Sequence, residues 1–283
     1  MEKRAYGKKG QVLSVVGFGG IIVMNETPAS AARMVGEAID RGVNYFDVAP
    51  SYGDSEEKLG PALAPYRGDV FLACKTGKRT AREAAEELDK SLKLLGTDHL
   101  DLYQHHAVTT VEEVHQILGR GGAMETFVKA RAAGKVRYLG FSAHSEAAAF
   151  ALMDGASFDS ILFPFNWACW LNGGFGVTVM EHAQERGMSL LALKTLAKRK
   201  WKEGEEKPWP KCWYKPVDTF EEAQRAVRFT LSMPVTAGVS PGHFELFQWM
   251  CDAAENVGPL APAEESTLSA EAARLDVIFA EAR

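Results

Sequence analysis

Short runs rich in β-branched and aromatic residues alternate along this chain with stretches whose apolar positions recur every three or four residues. The runs are LSVVGFG at 13–19, VNYFD at 43–47, DVFLACKT at 69–76 and LDLYQHH at 100–106, then VRYLGFS at 136–142, FDSILFPF at 158–165, MSLLALK at 188–194 and VTAGVS at 235–240. Their length and composition predict strands. Between them, Met34, Val35, Ala38 and Ile39 form one helical face, as do Ala85, Leu88, Leu92 and Leu95. Met124, Phe127 and Val128 mark a helix ending at Gly134, and Phe220, Ala223, Val227 and Leu231 mark another. Thr27-Pro28 reads as an N-cap followed by proline in the first turn, and that helix stops at Arg41-Gly42. SEEKLGPAL, residues 145–153, a stretch near 175–187 and one from about 243 complete the helices.

Eight strand–helix units with no linker between them predict a parallel sheet. The economical closure is a (β/α)₈ TIM barrel, one domain over 1–283. The leading MEKRAYGKKGQ predicts a hairpin across the barrel bottom, and 256–283, rich in Ala and Glu, predicts an exposed loop and a terminal helix.

Composition narrows the class. The chain is 46% hydrophobic and 24% charged, as expected of a globular protein with a large core. A net charge of −5 disfavours nucleic acid as a principal partner. No apolar run approaches the ~18 residues of a membrane span, and MEKRAYGKKG contains no apolar signal core, so a cytoplasmic protein is expected. Cys74, Cys169, Cys212 and Cys251 lie far apart with no C-x-x-C pair, which reads as reduced, buried thiols and no metal site. One segment runs against the acidic average: residues 198–217 carry seven basic and three acidic side chains. A cationic loop on an acidic body suits a small anion.

In such barrels chemistry gathers where strands end and βα loops begin. The second strand ends in Asp47 and continues as APSYG with Tyr52; the third ends in Lys75; the fourth ends in Gln104, His105 and His106. Three adjacent strand ends therefore place a carboxylate, a phenol, an ammonium and an imidazole at one mouth. Side chains alternate along a strand, so one of the two adjacent histidines faces the mouth and the other the helix layer. A metal-dependent hydrolase using Asp47, His105 or His106, and His144 is disfavoured, because adjacent histidines on one strand cannot both point at one metal and no paired H-x-H appears. A Schiff-base lyase is disfavoured too, because Asp47 and Tyr52 suit a charged Lys75.

The stretch GVNYFDVAPSYGDSEEKLGPAL, the lysine of FLACKT and HLDLYQHHA resemble the aldo-keto reductase superfamily, in its bacterial-type oxidoreductase branch, over roughly residues 10–255. The resemblance implies a catalytic set of Asp47, Tyr52, Lys75 and His106, leaving His105 toward the helices. It implies reduction of aldehyde or ketone carbonyls, with hydride from nicotinamide C4 and a proton from Tyr52. A phenol of pKa ~10 is a poor acid at neutral pH, and a nearby ammonium is expected to lower that value. Asp47 would hold Lys75 charged, and His106 would orient the substrate oxygen.

No strand–GxGxxG–helix unit is present, so a Rossmann site is not indicated. The resemblance instead implies NADP(H), with NAD(H) as the alternative, laid across the mouth by Gly20, Ile21, Asp47, Ser142, Lys194 and Thr195. The turn Pro241, Gly242 and His243 would open onto a helix N-terminus that receives phosphate. The sequence departs from the family at Ala143, Leu162 and Leu193, where Asn, Gln and an aromatic residue that hold nicotinamide are usual. Trp167 or Trp170 would then supply a substrate or nicotinamide wall. The loop 198–217 is expected to close over the cofactor, with lysines such as Lys198 on its phosphates. An NADPH-binding, redox-sensing subunit with poor turnover is the alternative function.

Overall fold

The computed structural model describes residues 1–7, 10–255, 258 and 260–280. The chain opens with a hairpin of β1 (Lys3–Tyr6) and β2 (Gln11–Ser14). It continues through β3 (Val16–Gly19), α1 (Pro28–Asp40), β4 (Tyr45–Asp47), α2 (Ser55–Leu63), β5 (Phe71–Thr76) and α3 (Ala81–Leu95). Next come β6 (Leu100–Val108), α4 (Val111–Leu118), α5 (Ala123–Ala132), β7 (Val136–Ala143), α6 (Glu146–Gly155) and β8 (Ser160–Phe163). Helices α7 (Trp167–Gly173) and α8 (Val177–Glu185) lead to β9 (Ser189–Ala192), followed by the short strands β10 (Ala197–Arg199) and β11 (Lys215–Pro216). The chain ends with α9 (Phe220–Ser232), β12 (Ala237–Val239), α10 (Phe244–Glu255) and α11 (Pro262–Ala272).

Strands β3 to β9 and β12 pair in parallel and close as β12-β3-β4-β5-β6-β7-β8-β9, the (β/α)₈ TIM barrel that the alternation predicts. The period of two divides its core. Inward positions Tyr45, Phe71, Ala73, Leu102, Leu162, Leu191 and Val239 fill the barrel, and the alternate set packs against the helices. The hairpin plugs the end where strands begin. Tyr6 lies against Phe71 and Tyr138, at ring separations of 4.9 and 5.1 Å, and its hydroxyl donates to Ser160 Oγ at 2.9 Å. Sequence patterning merged the end of this hairpin with the first barrel strand. The apolar run 13–19 breaks at Ser14, whose hydroxyl donates to the Val16 carbonyl.

Local chemistry marks most helix ends. Thr27 Oγ1 accepts from Ser30 N–H ahead of Pro28, and Thr80 caps α3, which stops at Gly96 with φ +63°. Two short helices escape the periodicity. Helix α4 buries only Val114 and Ile117, though its Thr110–Glu113 capping box is readable; α7 is apolar on nearly every side. The C-terminal segment is also more than an exposed loop and helix. Leu268, Ala272, Val277 and Ile278 are buried, and Asn172 Nδ2 donates to the carbonyls of Ala272 and Leu275. Among the described residues no helix is long and apolar enough to cross a membrane.

Gly60 allows α2 to lie against the end of α3: a Cβ there would stand 2.6 Å from the Leu94 carbonyl oxygen and 2.8 Å from Leu95 Cα. Gly60→Ala should therefore cost about 1–3 kcal/mol, as overpacking against backbone does. Urea unfolding measures it, and an unchanged midpoint would show that α2 lifts away freely.

Candidate active site

Asp47 closes β4 and Lys75 stands one residue from the end of β5, both facing the barrel axis and both almost wholly buried. The Lys75 ammonium donates to Asp47 Oδ1 and, at 3.3 Å, to the Val48 carbonyl. Asp47 Oδ2 accepts from the Tyr45 hydroxyl at 3.0 Å and from Gln104 Nε2 at 3.1 Å. Every oxygen of the buried carboxylate is thus partnered, the condition under which a buried ion pair is tolerated. Tyr45 and Gln104 were absent from the candidate set, yet parity foretells both. Tyr45 lies two residues before Asp47, and Gln104 two before His106, so each pair shares a face.

His106 reaches the mouth through a defect in β6. The register shifts between His105 and Val108, and Ala107 takes φ +51°. The Ala107 N–H donates to Ser142 Oγ at 2.7 Å, while Arg79 donates to the His106 carbonyl at 2.8 Å. The His106 ring stands 5.8 Å from that of Tyr52, with Ser51 Oγ 3.4 Å from Nδ1. His105 points the opposite way, stacked on Phe127 at 3.8 Å.

The Lys75 ammonium lies 5.3 Å from the centre of the Tyr52 ring. Burial would discharge Lys75, but Asp47 and Tyr52 more than offset it and hold its pKa above the usual lysine value. For Tyr52, burial raises the phenol pKa, Lys75 pulls it down, and the balance stays above 10. The expected lowering is therefore not reached in the free protein; desolvation of the phenolate outweighs the ammonium. Burial and the surrounding cations push His106 well below 6.5, so its ring is neutral.

These groups share one cavity of ≈ 160 Å³ with Ser142, Leu162, Leu193, Lys194, Pro241 and Gly242. Gly19 and Ile21 line it after β3, whereas Gly20 is buried and lies under Val48. Ala143 is buried on the helix side, and Thr195 is buried beside Gly238. His243 stays behind the wall, accepting from the Lys211 N–H at 3.0 Å.

Three expectations need correction. Trp167 and Trp170 pack into the core from α7, because Asn166 caps that helix and turns the chain away from the mouth. Lys198 does not reach the cavity; its ammonium pairs with Asp218, Glu222 and Glu271 at 3.4, 2.7 and 3.0 Å. Nor does the cationic loop keep most of its charge free. Arg199 and Lys215 meet Glu205, Lys200 meets Asp276, and Lys211 meets Glu26. What the loop brings to the cavity is Lys211, Cys212, Trp213 and Tyr214. Its Trp201 and Trp209 indoles donate to Cys212 O and Glu245, tying it down.

Lys194, after β9, adopts φ +62°, a strained conformation for a residue with a side chain. Asn166 Nδ2 holds the turn by donating to the Lys194 carbonyl at 2.9 Å. The ammonium lies 3.5 Å from His144 Nε2 and 5.1 Å from the centre of the Trp213 ring. Phe279, from the C-terminal tail, stacks on His144 at 5.1 Å. The tail's part in the site left no sequence signal, since its contact with His144 spans nearly half of the chain.

A closed parallel barrel with a buried Asp–Lys pair, a phenol and an imidazole at the strand ends defines the class of barrel oxidoreductases. Residues 16–269 match the model of the Aldo/keto reductase family, so the chain belongs to that family of oxidoreductases. It is 33% identical over 156 residues to the uncharacterized oxidoreductase YqkF of Bacillus subtilis, covering 50% of this chain and 49% of that protein. It is 31% identical over 157 residues to L-galactose dehydrogenase of Arabidopsis thaliana, covering 50% and 48%. The chain thus spans about half the length of the curated relatives it matches. In fold it is similar to the holo form of aldo-keto reductase AKR11C1 from Bacillus halodurans, with a TM-score of 0.76 and 23% identity over 97% of this chain and 98% of that one.

Both His105 ring nitrogens are buried without a partner, and burial, aided by Arg79, pushes its pKa down to about 3. The unfolded chain protonates this ring near 6.5, so stability should fall as pH drops from 6.5 toward 3, by at most about 1.4 kcal/mol per pH unit for this residue. His105→Leu should reduce that loss. Urea unfolding at two pH values inside the window tests it, and equal losses in both proteins would contradict it.

Proposed function

We propose that this protein is an NAD(P)H-dependent reductase of aldehyde and ketone carbonyls. The observation that carries the reading is one cavity onto which Tyr52, the Asp47–Lys75 pair and His106 all open. Tyr52 delivers a proton to the carbonyl oxygen as the carbonyl carbon is reduced. Lys75 stabilises the phenolate left behind, which lowers the cost of a transfer that burial alone makes expensive. Asp47 keeps Lys75 charged and aimed, and His106, neutral, offers a hydrogen bond that orients the carbonyl oxygen.

When bound, NADP(H) or NAD(H) supplies the hydride at nicotinamide C4. The residues present suit such a group: Ile21, Ser142, Pro241 and Gly242 border the same cavity as Tyr52, Lys75 and His106, and Ser142 Oγ, which accepts from the Ala107 N–H, still has a proton to give. Those four residues would hold it. At ≈ 160 Å³ the cavity is below the ~300–1,000 Å³ of ordinary ligand pockets, so it would take only one end of a dinucleotide. Trp213 and Tyr214 are the loop residues that would shift to admit the rest. The partner is a small carbonyl compound. We place the protein in the cytoplasm, where four free buried cysteines stay reduced.

One observation favours a second reading, a nicotinamide-binding redox sensor with poor turnover. Leu162 and Leu193 line the cavity where amide or stacking partners for nicotinamide would stand. Cofactor affinity with negligible turnover on an aldehyde and ketone panel would select the sensor.

Tyr52→Phe should lower kcat by at least ~10²-fold while NADPH affinity, followed by fluorescence, barely changes. Near-normal carbonyl reduction by this variant would end the mechanism. His106→Ala should raise KM and lower kcat, because orientation of the substrate oxygen is lost, with stability nearly kept.

A further inference from the structure

Among the described residues, the charges around the cavity do not balance. Asp47 is the one carboxylate among the described lining residues, and it is committed to Lys75, Tyr45 and Gln104. Lys211 is committed to Glu26 and the Ile22 carbonyl. Lys194 has no such partner: no carboxylate among the described residues lies within ion-pair distance of its ammonium. Its neighbours are the rings of Trp213, Tyr214 and Phe279, centred 5.1, 5.7 and 5.9 Å away, and His144 Nε2 at 3.5 Å. An ammonium held at a strained turn and walled by aromatic faces suits an anionic group on a ligand. The desolvation is substantial, since burial brings the Lys194 pKa down to about 8 and that of His144 to about 3.

The direction of the side chain separates two sources of anion. The glycine turns suited to a dinucleotide, Gly19–Ile21 and Ser240–Gly242, follow the neighbouring strands β3 and β12. Lys194 leaves β9, adjacent to β12, but its ammonium reaches the other way, across β8, to His144 at the end of β7. Strand β7 pairs with β6, which carries His106. The ammonium thus stands on the side of the mouth that holds the carbonyl site. Around it Leu162 and Leu193 offer no polar alternative.

We infer that Lys194, with His144, receives a carboxylate borne by the substrate, so that the preferred substrates are small oxo acids whose carbonyl oxygen meets Tyr52 and His106. The inference rests on the carbonyl-reductase reading above. The small cavity limits such a substrate to a compact molecule, and the exposed face of Trp213 marks its entrance.

The test uses the full chain with NADPH and two matched pairs: succinic semialdehyde against butanal, and 4-carboxybenzaldehyde against 4-methylbenzaldehyde. The carboxylated member should be favoured in kcat/KM by about 10- to 100-fold, the range of a charge-assisted hydrogen bond. Lys194→Met should remove most of that preference through KM, and Lys194→Arg should restore part of it. Calorimetric titration supplies a readout free of turnover: benzoate should bind at least ~10-fold tighter than benzamide, and Lys194→Met should erase the difference. No preference for the carboxylated aldehydes, or a preference that survives in Lys194→Met, overturns the inference. So does a loss of NADPH affinity in Lys194→Met with the preference intact, which would assign the ammonium to the cofactor pyrophosphate. If no aldehyde of either kind is reduced, the reductase reading has failed. The benzoate titration then decides the carboxylate site alone, with selective, Lys194-dependent binding supporting it and its absence overturning it.

Discussion

A buried ammonium–carboxylate pair at the centre of the barrel mouth governs the rest of this structure. Removing two charges from water costs several kcal/mol each, and the cost is offset only if every hydrogen-bonding position around them is filled. Asp47 therefore needs Lys75, Tyr45 and Gln104 together, and these stand on three neighbouring strands. The pairs Asp47↔Ala73 and Lys75↔Gln104 set the register that brings them within reach. A slip of one residue would turn all these groups toward the helix layer and leave two charges against apolar packing. The same cluster adjoins Tyr52 on the following loop, whose ring centre lies 5.3 Å from the Lys75 ammonium.

Strain and charge gather around that cluster rather than spreading over the fold. Asn25, Ala107 and Lys194 are the described non-glycine residues at positive φ, and two of them adjoin the mouth. Ala107 is held by Ser142 and belongs to the bulge that presents His106; Lys194 is held by Asn166 and presents its ammonium. Both cases place an off-minimum backbone where a side chain must be aimed, with the cost met by hydrogen bonds from outside the turn. The cationic loop behaves differently. Lys198, Arg199 and Lys215 are matched by Glu205, Asp218, Glu222 and Glu271, so most of its local charge is structural, and Trp213 and Tyr214 are its aromatic contribution to the cavity.

Periodicity made the barrel legible and strand ends made its mouth legible, because both follow from near neighbours in sequence, while the choice of Asp47, Tyr52, Lys75 and His106 together came from the family resemblance. A strand's period of two makes His105 and His106 face opposite ways, and the structure puts His106 at the mouth and His105 against Phe127. The elements that were missed fail the same criterion: α4 is too short to establish a period, and α7 is apolar around most of its surface. The substrate wall was misassigned for a related reason. Five of the six tryptophans cluster between 167 and 213, and composition does not say which of them face inward. Trp167 and Trp170 lie on a helix that Asn166 turns into the core, whereas Trp213 is carried back over the mouth by a loop anchored at Trp201 and Trp209.

The sequence by itself determined the barrel architecture and the presence of Asp47, Lys75 and the two histidines at adjacent strand ends, with Tyr52 on the loop that follows Asp47. Each of these rests on residue identity at a position that a local pattern already orients. Only the tertiary structure decided which cations remain unpaired, since pairing depends on carboxylates brought from distant helices. Lys198 finds Glu271 on α11 and Lys211 finds Glu26 after β3, while Lys194, among the described residues, meets rings and an imidazole. It also decided that Phe279, near the end of the chain, stacks on His144 at the mouth. Charge compensation and packing are long-range properties of the folded chain, and the linear order of its residues carries no record of them.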